Sequence, residues 1–375
     1  MSIKKYLIFS SLFLWVGISS CQKSTDSIRV VNPRCENRID PLGIDALNPH
    51  LSWNSESTFR NKKQSAYQII VSDSQESLTD DKGNLWDTKK VNSERSIQIQ
   101  YQGKELSSEL ICYWKVRVWD ERGQVSDWCS PGKWEMGLLN QSDWEADWIS
   151  DGKVGPQSIK EYYEADPAPL FRRDFKVQKE IKKARLYISG LGYYEATING
   201  EKVGDHVLDP GWTNYDKRVL YTTYNVTDQI KEGGNSIGVT LGNGWFNPLP
   251  MALFGKYNLR ESLSIGRPKF IAHLKIYYTD GSTQTIESNE EWLTHEGPII
   301  RNNIYLGEIY DARKEISGWN IFGFDADKWK HAKISSDKTG KLQAQNLPPI
   351  KITGKLNPVK LTEPKPDVYI FDMGQ

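Results

Sequence analysis

Residues 193–203 read YYEATINGEKV, from Tyr193 to Val203. Asn199-Gly200 between two apolar runs is the strongest short-range signal for a β-hairpin, because both residues tolerate the positive φ angles that a two-residue turn demands. The segment therefore predicts a strand over Tyr193–Ile198 and a short partner at Lys202 and Val203. Further strand signals lie on either side: LFRRDFKV from Leu170, ARLYISG over Ala184–Gly190, RVLYTTY over Arg218–Tyr224 and SIGVTL over Ser236–Leu241. KFIAHLKIYY over Lys269–Tyr278 and the TQTIE after Asp280-Gly281 complete the set. Helical periodicity is scarce, so the whole reads as all-β.

An earlier β block runs over residues 29–138. Its signals are LSW (Leu51–Trp53), YQIIVS from Tyr67, IQIQY from Ile97 and CYWKVRVWD from Cys112, punctuated by turns at DDKGN, ERGQ and SPGK. In the last strand Cys112, Trp114, Val116 and Val118 alternate with Tyr113, Lys115, Arg117 and Trp119, the pattern of one buried face. Trp53 and Trp114 are its expected core aromatics, and Gly123 is expected to turn the final hairpin. WEADWI (Trp144–Ile149) and a polar stretch to about Ala168 read as a connection to the second domain, residues 144–342.

Several motifs together carry a family resemblance. In GPIIRNNIYLGEIYDARKEISGW (Gly297–Trp319), the residues Ile304, Tyr305, Gly307, Glu308, Tyr310, Asp311, Ala312, Arg313, Gly318 and Trp319 fit IYxGExYDAR followed by GW. RCENRIDPLGIDALNPHLSW (Arg34–Trp53), GLGYYEATINGEKVG, DPGWTNYDKRVLYTTYNVTD and LGNGWF follow in the same family's order. The chain resembles the N-terminal, non-catalytic β domains of the bacterial α-L-rhamnosidases, glycoside hydrolase family 78. That resemblance implies a fibronectin III/Ig-like sandwich, a galactose-binding-like jelly roll, and then, over residues 343–375, a Pro-rich linker and the start of a further β-sandwich. The family's catalytic (α/α)6 barrel would lie further along, so no catalytic residue is expected in these positions. The parent is expected to hydrolyse terminal α-L-rhamnosides with inversion, a general acid protonating the leaving oxygen and a general base activating water.

The motifs that could carry chemistry here mostly fail on context. Glu308 and Asp311 lie three apart on a strand and point to opposite faces, so they cannot flank one sugar; a structural corner with Arg313, Lys314 or backbone amides is expected. GNSIG (Gly234–Gly238) satisfies G-x-S-x-G, but a turn precedes Ser236 and an alternating strand follows it, the reverse of a nucleophile elbow. LGNGW has Asn247 where a dinucleotide loop needs glycine, and Asp325, Asp327 and Lys328 open like a calcium loop that Trp329 then breaks. The five histidines lack ligand spacing.

What remains is a set of loop aromatics. Trp212 and Tyr215 in PGWTNYDK, and Asn243, Trp245, Phe246 and Phe254 in GNGWFNPLPMALFG, sit among Gly, Pro and Asn at strand ends, where binding residues concentrate. Trp212, Tyr215, Asn243, Trp245 and Phe246 are the candidate substrate-binding residues, with packing between domains as the alternative. In some rhamnosidases the equivalent jelly roll holds rhamnose through a calcium ion, and Asn243 and Pro248 resemble part of such a site. Tyr194 and Glu195 stand where acidic and amide ligands are expected, a departure that argues against calcium, and no metal or cofactor is assigned.

Composition bounds the partners. Lys plus Arg equals Asp plus Glu at 48 each, which gives no field to draw nucleic acid. Fourteen Trp and eighteen Tyr suit both sugar stacking and β-sandwich cores. Lys4 and Lys5 precede an apolar run ending in Ile18-Ser19-Ser20-Cys21, which resembles a lipoprotein signal over residues 1–21 with lipidation at Cys21. That implies an exported, lipid-anchored protein whose only membrane contact is the anchor. Cys35, Cys112 and Cys129 could form one disulfide plus a free thiol or remain three buried thiols. The expected partner is a rhamnose-containing oligosaccharide or polysaccharide; the alternatives are a stand-alone surface carbohydrate-binding protein and an inert gene fragment.

Overall fold

A computed structural model describes residues 28–156, 158–253 and 257–374. Cys21 and the signal segment, Phe254 and Gln375 lie outside the described residues. The first domain packs a three-stranded sheet (Arg29–Cys35, His50–Glu56, Ile99–Gln100) on a five-stranded one. The latter is built on Gln64–Ser72 and Ile111–Asp120, flanked by Trp86–Asp87, Val91–Asn92 and Gly132–Glu135. Leu51, Trp53, Ile69, Val71, Trp114, Val116, Val118 and Trp134 fill the space between. Trp53 and Trp114 are core as expected, and Gly123 turns back toward Gln124 with φ +79°. Lys115 departs from the simple alternation. Its buried stem carries the ammonium past the Trp128 ring, 5.1 Å from the centroid, to Asp81.

The second domain is a two-sheet β-sandwich. One sheet runs Glu201–Lys202, Tyr193–Ile198, Gly233–Gly242, Pro169–Val177, Leu293–Glu296, Lys330–His331. The other runs Lys333–Ile334, Ile149–Ser150, Lys269–Tyr278, Ile181–Leu191, Arg218–Asn225, Lys341–Ala344, with Thr283–Glu287 beside Lys269–Tyr278. Asn199 and Gly200 both take positive φ, 52° and 87°, so the hairpin predicted at this turn forms. Ser236 of the GNSIG segment is fully buried mid-strand, which places no nucleophile there.

Along Ile181–Leu191, Ala184, Leu186 and Ile188 face the sandwich core. Tyr187 on the opposite face is equally buried, because Leu138 of the first domain and Trp144 of the connection cover it. WEADWI is therefore no free connection: Trp144 packs edge-on against Tyr221, centroids 5.2 Å apart, and Ile149 pairs with Phe270. Similarly, the segment from Gln343 begins inside a strand, Lys341–Ala344, added parallel to Arg218–Asn225. Only beyond it does the chain leave the body, in a hairpin of Lys360–Lys365 and Val368–Asp372 whose apolar residues Leu361, Ile370 and Phe371 are all exposed.

The two domains meet through specific contacts. The Tyr221 hydroxyl accepts from the Leu138 N–H (2.9 Å) and donates to the Leu138 carbonyl (3.2 Å). A side chain at Gly137 would put its Cβ 2.2 Å from that hydroxyl, so only glycine permits the approach. Glu135 accepts from Arg185 Nη2 at 2.8 Å and from Lys183 at 3.3 Å, and Glu109 accepts from Lys275 at 2.6 Å.

Candidate functional site

The loop that presents Trp212 starts from a buried carboxylate. Asp209 Oδ2 accepts from Tyr194 (2.9 Å), Thr222 (2.6 Å) and Tyr224 (3.0 Å), and His206 Nδ1 lies 3.3 Å away. Gln345 donates to Oδ1 at 3.0 Å and accepts from the Gly211 N–H at 2.8 Å, which ties down the chain on both sides of the cis Asp209-Pro210 bond. Burial pushes the Asp209 carboxyl up, but the donors and charge of His206, with Thr222 and Gln345, outweigh it and hold the group below its ordinary value. Burial drives the Tyr194 hydroxyl well above its ordinary value, so it stays a donor.

The Trp245 loop is held by amides. The Asn243 N–H donates to Asn302 Oδ1 (2.6 Å) and its Nδ2 to the Asn302 carbonyl (2.9 Å), while Asn247 Nδ2 donates to Asn243 Oδ1 (2.8 Å). Arg260, itself buried, donates to Asn247 Oδ1 (2.9 Å), the Pro248 carbonyl (2.6 Å) and the Tyr162 hydroxyl (3.1 Å).

On this frame Trp212 and Trp245 stack, centroids 4.8 Å apart and planes 21° from parallel. Tyr305, from the turn between Ile299–Asn303 and Gly307–Tyr310, stands at 90° to Trp245, 5.7 Å away. Trp212 is 46% exposed. Tyr215 and Phe246 are not part of the open surface: both are buried beneath it, edge to face at 5.7 Å, with Leu191 and Val219. Tyr215 Oη, Tyr305 Oη and Asn303 Nδ2 are buried without a hydrogen-bond partner among the described residues. The exposed face of the indole stack can take the C–H face of a sugar ring; nothing here pairs a nucleophile with a base.

Calcium does not fit these residues. It needs six to eight oxygens, usually with carboxylates. Here Asn243 Oδ1, Asn302 Oδ1, Asn247 Oδ1 and the Pro248 carbonyl already accept from protein donors, two of them from the Arg260 guanidinium. Tyr194 is turned inward to Asp209, and Glu195 pairs with Lys202 at 2.8 Å. Among the described residues no group of three His, Cys, Asp or Glu could hold a metal.

Glu308 is exposed on its strand, and Asp311 caps the short 3-10 turn Ala312–Lys314. Arg313 holds both Asp311 oxygens at 2.8 Å and keeps its pKa down at about 2. Asp311 thus makes the corner expected from the sequence, whereas Glu308 pairs with no cation among the described residues. Sequence reasoning passed over Tyr305 and Asp209 as site residues. Tyr305 stood in the IYLGEIY motif, and Asp209 directly precedes the quoted PGW, but neither motif shows what the residue touches.

Two families match the chain: residues 30–140 fit "Rha78A-like, N-terminal immunoglobulin domain" and residues 179–354 fit "Alpha-L-rhamnosidase N-terminal domain". An α-L-rhamnosidase of Formosa agariphila is 36% identical over 98% of this chain and 40% of its own length. The chain carries the N-terminal domains of the α-L-rhamnosidase family. The solved α-L-rhamnosidase from Dictyoglumus thermophilum superposes with TM-score 0.82 at 42% identity, over 92% of this chain and 38% of that one. The Streptomyces avermitilis α-L-rhamnosidase, solved with L-rhamnose, superposes with TM-score 0.83 at 26% identity, over 93% of this chain and 49% of that one. The chain thus spans less than half the length of these rhamnosidases.

Proposed function

We propose that this chain is the glycan-holding N-terminal part of an exported α-L-rhamnosidase, anchored by a lipid on Cys21, whose parent hydrolyses terminal α-L-rhamnosides with inversion. The observation that supports sugar holding is the stacked Trp212–Trp245 pair, half open to solvent and framed by Tyr305. The 6-deoxy ring of rhamnose offers a methyl group and axial C–H bonds to an indole face. Binding here needs no metal, since Arg260 already supplies the positive charge at the loop oxygens. The acid and base of hydrolysis belong to the parent's catalytic domain.

Titration calorimetry of the chain with L-rhamnose tests the reading. Trp212→Ala is expected to weaken binding about tenfold, in line with roughly 1–1.5 kcal/mol for one aromatic contact, and to lower the unfolding temperature only slightly, since the ring is 46% exposed and its loss removes one stack on Trp245. Equal affinity in the parent and the variant would remove the platform from the function.

A further inference from the structure

The first sandwich carries an open cleft of its own. At one edge of the domain, Ile99–Gln100, the outer strand of the three-stranded sheet, and Trp86–Asp87 and Val91 of the other sheet bound a cleft of about 630 Å3. The segment Gln98–Gln102 explains its chemistry. Ile99 and Tyr101 are buried, 7% and 1% exposed, while Gln98, Gln100 and Gln102 are exposed and line the cleft. Gln98 sits at φ +51°, held by its N–H to Ser52 Oγ (3.1 Å), while Arg95 donates to its carbonyl (3.2 Å). All three side chains are exposed at the cleft. Tyr67 and Trp86 line the same cleft, and Trp86 is braced edge-on by Tyr101 at 5.2 Å.

We infer that this cleft is a second glycan subsite and that it takes a neutral oligosaccharide. A side-chain amide offers one donor and one acceptor in a plane, the complement of two neighbouring sugar hydroxyls. Three of them share the cleft with the rings of Tyr67 and Trp86, a lining that suits a chain of sugars rather than one ring. The one wall carboxylate, Asp87, is taken up by Gln68 (2.8 Å) and Lys89 Nζ (2.6 Å), and Arg95 donates to the Gln98 carbonyl (3.2 Å), so most of the wall is amide, hydroxyl and aromatic rather than charged. The volume lies within the range of about 300–1,000 Å3 usual for ligand sites. The cleft shares no residue with the Trp212–Trp245 platform, so the two stand or fall separately.

The test uses the full chain, with L-rhamnose and a short neutral rhamno-oligosaccharide as probes, and two variants: Gln100→Ala with Gln102→Ala, and Trp212→Ala with Trp245→Ala. Both glutamines are exposed, so the first variant keeps the fold. It is expected to weaken the oligosaccharide at least about tenfold, as two lost hydrogen bonds imply, and to leave L-rhamnose binding unchanged. Oligosaccharide affinity equal to that of the parent would overturn the cleft and leave the platform standing. Loss in the glutamine variant with no loss in the tryptophan variant would uphold the cleft and sink the platform. Absence of binding to either probe by the unmodified chain would overturn both.

Discussion

At the scale of the residue, Asp209 is the group on which most depends. It is a carboxylate buried among five polar partners, and an amide in its place would turn at least one donor contact into a clash of donors. Asp209→Asn is expected to cost about 3 kcal/mol in urea unfolding at neutral pH. The folded-state pKa lies below the ordinary carboxyl value, so this stabilisation is complete above that ordinary value and is lost as pH falls through the folded one. The gap between parent and variant should therefore narrow in acid; a variant as stable as the parent at neutral pH would refute the assignment. The importance of Asp209 is hidden in the sequence because its partners come from four separate segments, Gln345 being 136 positions away.

The elements were the most legible level. Tyr193–Ile198 and Lys269–Tyr278 start and end where the alternation and turn residues place them, since strand periodicity and an Asn-Gly turn are local properties. Illegible were the contacts between loops. Asn302, 59 positions from Asn243, and Arg260, which is neither aromatic nor in a motif, decide how the Trp245 loop is built. Arg260 leads to a prediction about this loop: excess EDTA or added calcium should leave both L-rhamnose affinity and unfolding temperature unchanged. Arg260→Met should lower stability by roughly 2–3 kcal/mol, because it strands the Asn247 and Pro248 oxygens. A calcium-dependent rise in unfolding temperature of the unmodified chain would show that the loop holds a metal after all.

On the scale of the molecule, the interface makes one body of two sandwiches. Glu135 lies buried between Arg185 and Lys183, and its removal leaves a guanidinium without its counter-charge, a change that costs about 3–5 kcal/mol for buried pairs. Glu135→Ala is thus expected to split a single calorimetric unfolding transition into two; one unshifted peak would mean that the domains dock without this pair. The sequence announced both sandwiches but not their junction. Tyr187 and Trp144 read as ordinary strand and linker aromatics until they are seen packed together with Leu138 of the first domain. The three cysteines left open by the sequence also resolve at this level. Cys35, Cys112 and Cys129 are buried and unlinked, with Cys112 pushed up to about 12 and Cys129 to about 11 chiefly by burial. No covalent staple joins strand to strand within the described residues, so folding asks nothing of the surrounding redox potential. The same sandwiches should form in a reducing cytosol and in an oxidising periplasm, and a reductant that dismantles many secreted domains should leave this one intact.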